Sequence, residues 1–222
     1  MKSLLIFILI LAALLAVPLL LPPGDGPPRS APTTGMPWQV ESLPDGYSRV
    51  FGMEPGRSTL AAARPRLQGE PQIALVIAPG ETGAVEAYYD NITAGSVTGR
   101  MVLTLDSTLA QREAMLQRAS KAEYMDGTTR RVRLAEADLA WAETAVIAAI
   151  VFIPSANLDE EIVLQRFGGA TERVRGDEHR EHFLYPDKGL DLQLDAKGRE
   201  VLQYVAPRDF ERLLRGPLLA GK

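Results

Sequence analysis

Hydrophobic and polar positions change rhythm along the chain. Residues 4–21, LLIFILILAALLAVPLLL, are apolar without a break. Further on the period shortens to that of strands. QIALVIA (72–78), AVEAYY (84–89) and GRMVLTL (99–105) predict three strands, with DNITAGSVTG (90–99) as a long hairpin tip. AVIAAIVFIP (145–154) predicts a buried strand, too short to span a bilayer. ATERVRG (170–176), EHFLYP (181–186) and EVLQYV (200–205) predict further strands, TRRVRLA (129–135) a short one, and 38–51 a strand-like stretch turning at Pro44-Asp45-Gly46. LDLQLD (190–195) alternates strictly. Leu190, Leu192 and Leu194 share one face, and Asp191, Gln193 and Asp195 share the other, which predicts a sheet with one wet side.

Helical spacing lies between these strands. DSTLAQREAMLQRASKAEYMDG (106–127) is the strongest helix, capped by Asp106 or Ser107 and ended by Gly127. Its stripe is Leu109, Leu116 and Ala119, widened by Met115 and Ala122. ANLDEEIVLQRFGG (156–169) predicts a second, with Asn157 as cap, acidic residues 159–161 at its positive end, and Gly168 or Gly169 as its stop. Shorter helical pieces are expected at 57–69 with Ser58 as cap, at 136–145, and at 207–219 with Pro207 near the start. The fold class is α+β: an N-terminal transmembrane helix, then an antiparallel-sheet domain with packed helices. A helix, a glycine stop and three meandering strands occur twice, suggesting two tandem α-β-β-β units within halves 38–135 and 136–222.

The apolar run of residues 4–21 would make about 27 Å of helix, near the hydrocarbon thickness of a bilayer. Residues 1–21 are read as a membrane anchor, with a cleaved signal peptide as the alternative. No small-x-small cleavage site follows the run, which ends in Leu21-Pro22-Pro23. Lys2 favours a cytoplasmic N-terminus and an extracytoplasmic body, periplasmic in a bacterium. Residues 22–37, PPGDGPPRSAPTTGMP, form a Pro/Gly-rich linker to a body at 38–222.

Charge and composition narrow the function classes. The net charge of −4 argues against a general nucleic-acid binder. The absence of cysteine excludes disulfides, thiolate metal sites, a cysteine nucleophile and a lipid anchor on cysteine. NLDEEIVLQRFGGATE (157–172), followed by the aromatic HFLYP (182–186), resembles the helix–FG–strand pattern of small SmpA-type outer-membrane-assembly lipoproteins, and FGMEPGRSTLAAA (51–63) is a fainter echo. That resemblance implies a helix-on-sheet adaptor. The family anchors through a lipidated cysteine, which this chain lacks.

Both histidines lie in GDEHREHFLYPDKG (176–189). Three residues apart on a strand, His179 and His182 point to opposite faces, so they do not share a metal. They are read as solvated side chains of a hairpin turning at Pro186-Asp187-Lys188-Gly189. GSVTG (95–99) is not a nucleophile elbow, and no phosphate loop is present. Arg130, Arg131 and Arg133 form the one basic cluster. Arg131 and Arg133 share a strand face, suited either to a phosphate or lipid headgroup or, more plainly, to protecting an edge strand. No catalytic, cofactor-binding or metal residue is assigned, and no cofactor is expected. The expected function is a single-span, membrane-anchored, non-catalytic module that binds another envelope protein. The alternatives are a hydrolase or lyase with a cleft between the halves, using carboxylates or His182, and a small-ligand-binding protein.

Overall fold

The computed structural model describes residues 35–119, 121–125 and 128–220. The expected membrane span and most of the linker lie outside these residues. Among the described residues, no helix is long and apolar enough to cross a membrane.

The chain opens with a small hairpin, β1 (Glu41–Leu43) and β2 (Tyr47–Arg49). Pro44, Asp45 and Gly46 make its three-residue turn, in which Asp45 and Gly46 both take left-handed backbone angles. A second tight turn follows at Phe51 and Gly52, where Val50 pairs with Met53. Phe51 bears the left-handed strain of about 1–2 kcal/mol. Its ring is buried against Phe152 at 5.3 Å and Tyr204 at 5.5 Å, and this burial offsets the strain.

The body is one ten-stranded antiparallel sheet. Its strands are β3 (Gln72–Ile77), β4 (Ala84–Ala94), β5 (Val97–Leu105), β6 (Lys121–Tyr124), β7 (Arg130–Arg133), β8 (Ile147–Pro154), β9 (Glu172–Arg175), β10 (Arg180–Tyr185), β11 (Leu190–Asp195) and β12 (Val201–Val205). Their spatial order is β6-β7-β3-β4-β5-β8-β12-β11-β10-β9. The two expected units meet where β8 pairs with β5 on one side and β12 on the other. Their junction is a hydrogen-bonded ladder, not a cleft.

Among the described residues, five short α-helices accompany the sheet: α1 (Leu60–Ala63), α2 (Leu109–Arg118), α3 (Glu136–Thr144), α4 (Glu160–Phe167) and α5 (Gly216–Ala220). One sheet face carries Leu75, Val85, Met101, Leu103, Ile150, Phe152, Leu192 and Tyr204. These pack with Leu60, Met115, Ala142, Val163 and Phe167 from four helices and with the 50–53 turn, forming the main core. Tyr204 also donates from Oη to the carbonyl of Pro37 at 2.8 Å, tying the entering chain to this face.

The second face is where expectation and structure part most. Asp191 and Gln193 are buried, not solvated. The C-terminal segment runs through a π-helical turn (Glu211–Arg215) into α5. It places Phe210, Leu214 and Leu218 against Ala149, Val174, Leu184 and Val205 on this side. Ala84, Val102, Val151, Ile153 and Val201 form a further apolar cluster on the same face. The C-terminal segment, remote in sequence, thus covers part of the face that local alternation assigned to water.

Several boundaries also move. The long helix ends at Arg118, and Lys121–Tyr124 becomes β6, because backbone pairing with β7 overrides the helical propensity of Lys-Ala-Glu. Thr108, with Gln111 in a reciprocal capping box, caps α2 in place of Asp106 or Ser107. Leu109 is exposed and Met115 is the buried anchor. Thr59 caps α1 and Asp159 caps α4, each one or two residues beyond the expected Ser58 and Asn157. The expected long tip at 90–99 is mostly ladder. Ile92, Thr93, Val97 and Thr98 extend the strands past a bulge, leaving Gly95-Ser96 as the turn. The turn at 186–189 forms as expected. Gly189 is left-handed there, and a Cβ would collide with the carbonyl of Val205.

Candidate functional site

Two constellations on the second face carry chemistry. The first contains His182. It projects from β10, 8% exposed, beside Gln193 of β11 in direct register. Its Nδ1 lies 2.9 and 3.0 Å from the two carboxylate oxygens of Asp191, one diagonal step away. A carboxylate only accepts, so Nδ1 carries a proton and donates to it. Nε2 faces Gly176, whose Cβ position would be 3.2 Å away. The histidine is therefore not a solvated hairpin side chain. Strand alternation turns it inward, and the C-terminal segment covers the neighbouring Leu184. His179 stays half-exposed in the loop before β10, its N–H donating to Asp177 at 2.8 Å. The two histidines are not brought together. Among the described residues, no group of three or more His, Cys, Asp or Glu is placed to hold a metal.

The polar block continues with Gln203, buried opposite Asp191 in β12. The Gln193 side-chain nitrogen is buried without a hydrogen-bond partner among the described residues. A histidine–carboxylate pair is two parts of a hydrolytic triad. The Nε2 that would activate a nucleophile faces a glycine, which has none.

The second constellation lies at the opposite end of the sheet. A cleft of about 320 Å³ is lined by Gln72 and Ala74 of β3, Lys121 and Glu123 of β6, and Arg131 and Arg133 of β7. Register explains the grouping. Lys121 stands opposite Arg133 and Glu123 opposite Arg131, and alternate residues of each strand share a face. Val132, fully buried between the two arginines, fixes their backbone to the core. Arg131 donates to the Gln72 side-chain oxygen. Lys121 pairs with Glu123 at 2.5 Å. Arg133 makes no hydrogen bond or ion pair among the described residues. The Lys121 hydrogen bond and charge, with the charges of Arg133 and Arg131, hold the Glu123 carboxyl below its ordinary value. β7 is thus not the edge strand it was expected to be, because β6 covers it. Lys121 was missed because its segment resembled a helix.

Next to the cleft wall, Glu86 of β4 pairs in register with Ala74 and with Thr104 of β5. It is 4% exposed, and its Oε1 has no hydrogen-bond partner among the described residues. Burial pushes its carboxyl up to about 8, so it stays protonated at neutral pH.

Compared with known protein families, with curated proteins and with solved structures, the chain matches none.

Proposed function

We propose that this chain is a membrane-tethered, non-catalytic binding module. Residues 4–21 anchor it, residues 22–37 hold its α+β body outside the cytoplasm, and the body engages another envelope protein. The supporting observation is the outer strand β6. It ends the sheet, all four of its residues are exposed, and Tyr124 is 73% exposed at its tip. An outer strand with an aromatic at one end suits strand addition, in which a partner segment pairs along the backbone and a side chain anchors it. The likeness of 157–172 to SmpA-type assembly lipoproteins points to the same adaptor role.

The test is photo-cross-linking from position 124 of the full-length chain in native membranes. One reproducible protein partner, lost when residues 1–21 are removed, is the expected result. Recovery of the chain alone overturns the reading. A hydrolase or lyase remains the second reading, and the His182–Asp191 pair is the observation that favours it. A His182→Ala variant that folds and loses a measured hydrolytic activity would establish it.

A further inference from the structure

We propose that the β6–β7–β3 cleft is an anion site for a phosphate-bearing ligand, with Arg133 as its principal contact and Lys121 and Arg131 beside it. The proposal does not depend on a protein partner at the β6 edge.

Three cations are held on one face of two adjacent strands, with a single carboxylate among them. Lys121 and Arg133 stand directly opposite each other, an arrangement that is unfavourable without a counterion. Arg131 is engaged by Gln72 and Lys121 by Glu123. Arg133 makes no hydrogen bond among the described residues, while its backbone is fixed by the buried Val132. A guanidinium on a rigid strand, with an ammonium opposite, matches phosphate: two parallel N–H donors for two oxygens and a point charge for a third. The charge balance also fits. Lys121, Arg131 and Arg133 less Glu123 leave a surplus that a dianion neutralises and a single carboxylate does not. The volume, about 320 Å³, is at the small end of ligand sites, enough for a phosphate monoester and not for a large cofactor. The adjoining Glu86 is uncharged at neutral pH and does not oppose an anion. The phosphate has two sources, a soluble monoester or the headgroup of an anionic lipid.

The experiment uses the full-length chain in nanodiscs of phosphatidylcholine, with thermal unfolding as readout. One arm titrates inorganic phosphate and glycerol 3-phosphate. The other replaces part of the lipid with phosphatidic acid. A rise in melting temperature in the first arm assigns a soluble ligand, and a rise confined to the second assigns a lipid headgroup. In either case Arg133→Gln should abolish the rise while leaving the melting temperature without ligand unchanged. Arg173→Gln, at the far end of the sheet, should keep the rise. No rise in either arm, or an equal rise in Arg133→Gln, overturns the proposal.

Discussion

The two ends of the sheet are built differently. At the β9 end, every layer is tied down. Arg173 of β9 binds Glu160 of α4 at 2.7 Å and Glu181 of β10 at 2.9 Å, and its guanidinium lies over the Phe183 ring. Arg215 of the C-terminal segment reaches Glu172 at 2.6 Å. Val174 is buried beneath that segment. At the β6 end, the outer strand is wholly exposed, and its one ion pair among the described residues lies within the strand itself, Lys121 to Glu123. An outer strand is normally shielded against unwanted pairing. Here one end is shielded by helices and the other by charge alone, so the ends differ in role: the β9 end stabilises and the β6 end is available.

The sharpest way to break the contrast is to damage the interior of the β9 end. Asp191→Leu leaves His182 buried without its acceptor and should destabilise the fold by about 3–5 kcal/mol in urea unfolding. Adding His182→Phe should recover part of that loss, since no buried polar group is then left alone.

The next effect belongs to the β6 side of the sheet. Glu86 holds its proton up to about 8 when folded but releases it near 4.5 when unfolded. Between those values the folded form binds more protons, so stability falls as pH rises, by roughly 1.4 kcal/mol per unit. Glu86→Gln should flatten that decline and leave the variant more stable than the wild type at pH 8, measured by denaturant titration across the window.

Smaller still is the surface network. Arg173→Ala should lower the melting temperature by a few degrees at most, a loss that shrinks as salt rises. The smallest effect on stability should come from Tyr124→Ser. Its melting temperature should match the wild type, while cross-linking to a partner through β6 weakens. A marked loss of stability would show that the exposed strand is part of the fold's support.

What could be read from the residues depended on how local the cause was. LDLQLD correctly placed Leu190 and Leu192 in the main core, because alternation is a local property. It misplaced Asp191 and Gln193, because the face they share is not open to water: His182 packs against Asp191, and 210–218 covers the nearby Leu184 and Val205, contacts with no local link to the strand. The shared face of Arg131 and Arg133 was legible. Their neighbour Lys121 was not, because Lys-Ala-Glu favours helix and only the partner strand makes it extended. The buried central strand at 145–154 was plain from its unbroken apolar run, which both of its covered faces require.

That central strand has a consequence for synthesis. β8 pairs with β5, already made, and with β12, where Phe152 meets Leu202 some fifty residues later. As the chain leaves the ribosome, this unbroken apolar strand therefore waits with one open edge until β12 emerges. A nascent chain truncated before residue 201 would present that edge, and a chaperone or a second copy would be the first to meet it.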